Sequence, residues 1–341
     1  MIYGMSQNGI LLFAKQSGPT SFSAIGTVKR ALKTTKVGHT GTLDSFAQGL
    51  LVVCIGSLTK LAGNITAFDK TYKAVIRFGE ETDTLEFTGK TIKTAPLPAK
   101  EQLETAVKKF TGNIMQTPPL FSAIHIDGKR ASDLAREGKT KELPARPVTV
   151  FNAEIEDLKH NSEGLVEYAL ISFSVSKGTY IRSLARDIAA ECGSAAHLIG
   201  LYRTQVGNFN IEDSAGFSLL EDFSIDNVIK TAVEFLKNSE APATQEKDSE
   251  ELYAEIKSHM LDFDEATAKV CGFETTKTTS VEAESNFKNG KKLLSAMFST
   301  NLHSFKPDTQ IAVFSQNEKF LGLIYKNPES RVSYKFVIPA E

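Results

Sequence analysis

The 341-residue chain holds only three cysteines, Cys54, Cys192 and Cys271, widely spaced and with no CxxC pair. Such an odd, scattered set argues against a disulfide framework and against a structural zinc site, and reads as buried thiols. Long apolar runs are missing too, none approaching the ~20 residues that a membrane-spanning helix requires. The opening MIYGMSQNGILLFAKQSG lacks a basic leader, a long apolar region and a small-residue cleavage site, so no signal peptide is expected and the cytoplasm is the expected compartment. No Walker loop, dinucleotide-binding glycine fingerprint or His/Cys/carboxylate cluster at ligand spacing is visible, so neither cofactor nor metal is expected.

What is present is the composition of an ordinary globular chain, 41% hydrophobic and 23% charged. Its length exceeds one typical core, which implies a large first domain and at least one smaller unit. The net charge of −2 is small, but it hides an asymmetry. Residues 1–150 carry 20 Lys/Arg against 12 Asp/Glu, whereas residues 151–300 carry 14 against 25. The first part therefore offers a basic surface to a polyanion without the whole chain being basic.

Apolar periodicity and turn residues predict mixed strands and helices with no regular βαβ repetition. GILLFAK reads as a strand, and QSGPTS as a loop leading to a helix over Ser21–Leu32. LLVVCIG is a buried run, and the alternation from Tyr72 to Phe78 is a strand. EQLETAVKKFTG is an amphipathic helix, and PPLFSAIHIDGKRASDLAREG a strand, an Asp-Gly turn and a helix stopped by Gly138. Residues 165–176 alternate and feed the helical GTYIRSLARDIAAECG. Beyond these, residues 201–270 hold 15 acidic against 6 basic residues around the polar KNSEAPATQEKDSEE. The expected organisation is a domain over 1–235, an acidic insertion or linker over 236–275, and a small β-rich unit over 276–341.

The segment with most chemical promise is Gly38-His39-Thr40-Gly41-Thr42-Leu43-Asp44, a glycine-bearing loop ending in a carboxylate just before the buried run. Its glycines permit close approach of backbone to a ligand, although an aspartate in such a loop also suits a plain turn.

GHTGTLD followed by AQGLLVVCIGSLTKL resembles the signature of the TruB family of tRNA pseudouridine synthases. Three further blocks agree in order: KTYKAVIRFGEETDTLEFTG, QTPPLFSAIHIDGKRASDLAREG and SKGTYIRSLARDIAAECGSAAHLIGLYRTQVG, together covering most of residues 10–210. The resemblance implies an α+β pseudouridine synthase fold with a mixed, mainly antiparallel central sheet, and a small PUA-like β-rich C-terminal domain. It also implies isomerisation of the T-arm uridine of tRNA at position 55, without cofactor, metal or obligatory protein partner; no membrane association is expected from the composition, and a monomer is the default expectation.

Residue by residue, it implies Asp44 as the catalytic carboxylate, Arg182 as its partner and Tyr72 as the aromatic stacked on the target base. Tyr180 and Leu201 would line the same pocket. His39 would fill the space left by flipped bases, and Lys15 would support the site. Lys129 and Arg130 are expected against the RNA backbone. The chain departs from the family pattern at Ser45, where proline is usual, and at Phe121 and Ser132, where tyrosines are common. Two other readings stay open: an RNA-binding chaperone that folds tRNA, and the catalytic subunit of a guide-RNA particle.

Overall fold

The computed structural model describes residues 8–122, 125–126, 129–130, 143–237 and 249–338. The strands of the main sheet are β1 (Gly9–Lys15), β2 (Val37–His39), β3 (Gln48–Ile55), β4 (Lys70–Phe78), β5 (Gly112–Gln116), β6 (Arg146–His160), β7 (Val166–Val175), β8 (Ala196–Val206) and β9 (Met260–Leu261). They run in the order β9-β1-β3-β8-β4-β7-β6-β5, with β2 pairing β3 and a short Phe209–Asn210 strand pairing β8. Every pair is antiparallel except β3 with β8, so the sheet is mixed and mainly antiparallel. Strands β1 and β3 are buried at every residue, which is why their sequences show apolar runs instead of alternation. The parallel β3/β8 ladder holds only Tyr202↔Gln48 and Arg203↔Gly49.

Helix α1 (Ser21–Leu32) occupies the span that periodicity predicts, with Thr20 as N-cap accepting from the Ser23 N–H. The amphipathic helix α2 (Lys100–Lys109) and helix α3 (Ile181–Glu191) lie on one face of the sheet, where Leu184, Ile188 and Leu103 join Ala74, Ile76 and Phe173 in a single core. Helix α4 (Ile225–Lys237) covers Val75, Leu170 and Ile199 through Ile225 and Val228. Among the described residues no helix is long and apolar enough to cross a membrane.

The span whose acidity suggests a linker carries regular structure in its described part. Helix α5 (Glu250–Ser258) buries Leu252 and Ile256 against Ala24, Ile25 and Val28 of α1, and β9 extends the sheet beside β1. Two apolar residues at i, i+4 are enough to seat a helix whose remaining face is acidic and solvated. Helix α6 (Glu265–Val270) follows. Then β10 (Glu274–Lys277), helix α7 (Val281–Lys288), β11 (Thr309–Phe314), β12 (Phe320–Lys326) and β13 (Val332–Val337) build a four-stranded sheet in the order β10-β11-β12-β13. Phe263, Phe273, Phe314 and Phe320 share one cluster with Ile10, Leu12, Leu50 and Val52, so the C-terminal sheet packs on the back of the main one.

Of the predicted hairpin region, His125–Ile126 pairs with Lys129–Arg130. The side chains of Lys129 and Arg130, the Asp127-Gly128 turn, the following helix and Ser132 lie outside the described residues.

Candidate active site

Asp44 sits in the loop joining β2 to β3, and the chain around it is held from several sides. The Ser21 hydroxyl at the start of α1 donates to the Leu43 carbonyl (3.0 Å) and accepts from the Leu43 N–H (2.8 Å). The Lys15 ammonium, fully buried at the end of β1, donates to the carbonyls of Ser45 (3.2 Å) and Ala47 (2.6 Å). Lys15 therefore clamps the loop from behind and is not among the residues lining the cleft. Arg203 of β8 completes the frame, its Nε donating to the Leu50 carbonyl (2.8 Å) and its Nη2 to that of Gly41 (3.1 Å). Gly49 makes this approach possible: at φ +118° a Cβ would stand 2.3 Å from the Arg203 carbonyl oxygen.

The Ala47 N–H donates to the Asp44 carbonyl (3.1 Å), so Asp44–Ala47 is a β-turn with Ser45 at its second position. That position favours proline, and neither central residue has positive φ. The Ser45 N–H makes no hydrogen bond among the described residues. Ser45→Pro is thus expected to raise stability by about 0.4–1 kcal/mol through the unfolded chain while leaving activity intact. A thermal melt of the two proteins checks this.

Opposite Asp44 stands Arg182, in the first turn of α3 and almost fully buried. Its Nε lies 3.1 Å from Asp44 Oδ2 and its Nη2 3.2 Å from Asp44 Oδ1, a bidentate pair that fixes the plane of the carboxylate. The remaining donors are also taken: Nη2 by the Phe121 carbonyl (3.0 Å), Nη1 by the Thr84 carbonyl (2.9 Å) and by Glu86 Oε1 (2.7 Å). Asp44 itself stays 32% exposed toward the cleft, against 6% for the Arg182 side chain.

Glu86 escaped the sequence reading. Its only local signal is an acid flanked by Leu85 and Phe87 just after a strand, in a loop that Leu85 turns with a φ of +60°. Burial pushes the Glu86 carboxyl up to about 7, Arg182 pulling it down and Asp44 adding to the rise. A raised acid stabilises the fold most below its ordinary pKa, and that contribution is lost as pH climbs through about 7. Glu86→Gln removes the titration and keeps an acceptor for Arg182. Its melting temperature is therefore expected to gain on the wild type as pH rises from 5 to 8. A constant gap would show that Glu86 does not titrate in that window.

The cleft that Asp44 faces has a volume of about 820 Å³. Tyr72 of β4, Leu201 of β8, Tyr180, His39 and Arg182 all line it, so five of the predicted site residues converge on Asp44's cavity. Tyr72 pairs across the sheet with Arg203 on one side and Phe173 on the other, which sets its ring at the cleft floor. Tyr180 is fixed by the buried Gln116 of β5, whose side chain accepts from the Tyr180 N–H (2.8 Å) and donates to its carbonyl (3.1 Å). Burial raises the Tyr180 phenol above its ordinary value. Burial and then the Arg203 cation lower the His39 imidazole, which favours its neutral form, and its Nδ1 accepts from the Gly41 N–H (3.4 Å). Lys70, which the sequence reading also missed, lines the wall near Arg203 and donates to the carbonyls of Thr66 (2.7 Å) and Phe68. Burial, then Arg203, lower its ammonium to about 8.

Comparison with solved structures gives the fold, and comparison with families and curated relatives the class. The fold matches a Cbf5–Nop10–Gar1 complex at a TM-score of 0.62 and 21% identity, over 97% of this chain and 85% of that one. An archaeal box H/ACA sRNP Nop10–Cbf5 complex matches at 0.62 and 20%, over 98% and 87%. The chain therefore shares its fold with these two proteins. The family described as TruB family pseudouridylate synthase (N terminal domain) matches residues 29–181. The tRNA pseudouridine synthase B of Treponema denticola is 48% identical over 234 residues, 64% of this chain and 66% of that protein. Its counterpart in Borreliella burgdorferi is 45% identical over 236 residues, 69% of this chain and 80% of that one. The chain belongs to the TruB family of pseudouridylate synthases.

Proposed function

We propose that this chain isomerises uridine to pseudouridine in tRNA, at the T-arm uridine numbered 55, with Asp44 as the catalytic carboxylate. The observation that carries the reading is the Asp44 carboxylate, held edge-on by Arg182 and open toward a cleft that Tyr72 and Leu201 also line. The names of the bacterial relatives supply the substrate class.

The reaction breaks the bond from ribose C1′ to uracil N1 and forms one from C1′ to C5. The C5 hydrogen leaves as a proton and N1 gains one, so atoms balance and no oxidant or reductant is consumed. The target base has to leave its stack to enter a buried site, which the cleft volume admits. Tyr72 offers the aromatic face against which the uracil stacks, and Leu201 an apolar wall that keeps the freed base from escaping. Asp44 meets the base or the sugar with the oxygen lone pairs that Arg182 leaves toward the cleft. Neutral His39 fills space by stacking and moves no proton. Tyr180, set by Gln116, shapes the far wall. Lys15 contributes by holding the Asp44 loop, and Lys129 and Arg130 take phosphates of the substrate. The C-terminal four-stranded unit supplies a second RNA-binding surface.

In this reading the protein acts in the cytoplasm, as a monomer and with no guide RNA or obligatory partner. Purified protein incubated with an unmodified tRNA transcript is expected to yield pseudouridine at the T-arm uridine, mapped by carbodiimide labelling and primer extension. A folded protein that binds the transcript yet leaves it unmodified would overturn the reading.

A further inference from the structure

Helix α1 carries a feature that the chemistry at Asp44 does not use. Phe22, in its first turn, is 74% exposed, the most exposed phenylalanine among the described residues, and it stands at the rim of the Asp44 cleft. The helix is anchored through Ala24, Ile25, Val28, Ala31 and Leu32, so the ring is mounted on a rigid element and faces water by register. Lys29 lies seven residues on, nearly two full turns, and its Nζ sits 5.0 Å from the Phe22 ring centroid. Lys33, eleven residues on from Phe22, continues the same ridge just past the helix end, with Lys36 beyond it. Among the described residues none of Lys29, Lys33 and Lys36 forms an ion pair. The chain contains no Asp or Glu before Asp44, so helix α1 itself carries no acid beside these lysines.

We propose that Phe22 is a positioning residue for RNA: its open face stacks on a base next to the flipped uridine, while Lys29 and Lys33 take phosphates of the strand leaving the cleft. The inference rests on the tRNA reading above and deepens it. When the target base swings into the cleft, its neighbours lose a stacking partner and expose a π-face at the rim. A phenyl ring there replaces the lost stack whatever the base, because every base has such a face. The cation over the ring's other face strengthens the platform and places charge near the backbone. An aromatic beside a run of cations is the combination that binds single strands, and it costs solvated apolar area unless a partner covers it.

The test uses the full chain, an unmodified tRNA transcript and the variants Phe22→Ala, Phe22→Tyr and Lys29→Gln. Phe22→Ala is expected to weaken tRNA binding by about tenfold, the loss falling on Kd more than on the single-turnover rate at saturation. Phe22→Tyr restores binding, since the stacking face returns. Lys29→Gln lowers the slope of log K against log salt by about 1. Unchanged affinity in Phe22→Ala, or equal weakness in the alanine and tyrosine variants, overturns the proposal while the tRNA reading stands. A wild-type protein that forms no pseudouridine in tRNA overturns that reading, and this proposal with it.

Discussion

Asp44→Asn is expected to lower the single-turnover rate of tRNA pseudouridylation by about 10³-fold or more, with tRNA affinity close to wild type. The substitution keeps the shape of the side chain and an acceptor for Arg182, so the loop held by Ser21, Lys15 and Arg203 has no reason to move. What disappears is the negative charge and a set of oxygen lone pairs at the one carboxylate that faces the cleft from this loop. A binding isotherm and a rate at saturating protein separate the two effects. Retained activity would remove Asp44 from the chemistry; lost binding would mean that the substitution collapses the site instead of disarming it.

The second large effect is expected at Arg182. Arg182→Met fills similar space but leaves Asp44 and the more deeply buried Glu86 without their shared cation, and strips three carbonyl and carboxylate contacts from the interior. Removing one partner of such a buried network costs roughly 3–5 kcal/mol, about a 4–7 °C fall in melting temperature for a chain of this size. Catalysis is expected to fall with it, because the carboxylate plane is no longer set. Arg182→Lys does not rescue, since one ammonium cannot reproduce an edge-on fork and three further bonds. The double variant Arg182→Met/Glu86→Gln tells the roles apart. It is expected to recover part of the lost stability, one unpaired buried carboxylate having gone, and none of the activity. Recovery of both would show that Arg182 acts on the fold alone.

These two predictions draw on features that differ in how legible they are from sequence. Helix α1, the uniformly buried β3 and the alternating β4 follow from periodicities that span only a few residues, so they could be read directly. Asp44 stands out because glycines and threonines gather around it, and the resemblance to a known family adds His39 from the same loop and Tyr72, Tyr180, Arg182 and Leu201 from later blocks of the chain. The structure brings those residues to one cleft, whereas it sets Lys15 behind the loop that the cleft exposes. Glu86 and Gln116 were illegible because each works through a partner far away in the chain. Arg182 reaches the Thr84–Glu86 loop across 98 positions and Gln116 reaches Tyr180 across 64. No local pattern encodes that distance. In the described part of the acidic span, from residue 249, composition hides a helix for a related reason: its charge is carried by a solvated face, while Leu252 and Ile256 do the burying.

What the sequence by itself determined, then, is part of the set of strands and helices, α1, α2, α3, β3, β4 and β7 among them, with the glycine-rich loop that carries Asp44 and the family pattern around it, since all of these are written in neighbouring residues. What only the tertiary structure decided is which groups share one guanidinium, which lysine holds the loop instead of facing the substrate, and which aromatic is left at the cleft rim. The reason lies in strand order. β3 and β8 meet as a parallel pair for two residues at the centre of an otherwise antiparallel sheet, and that contact, absent from any short stretch of chain, brings the Asp44 loop that precedes β3 beside Leu201 and Arg203 of β8 at the cleft.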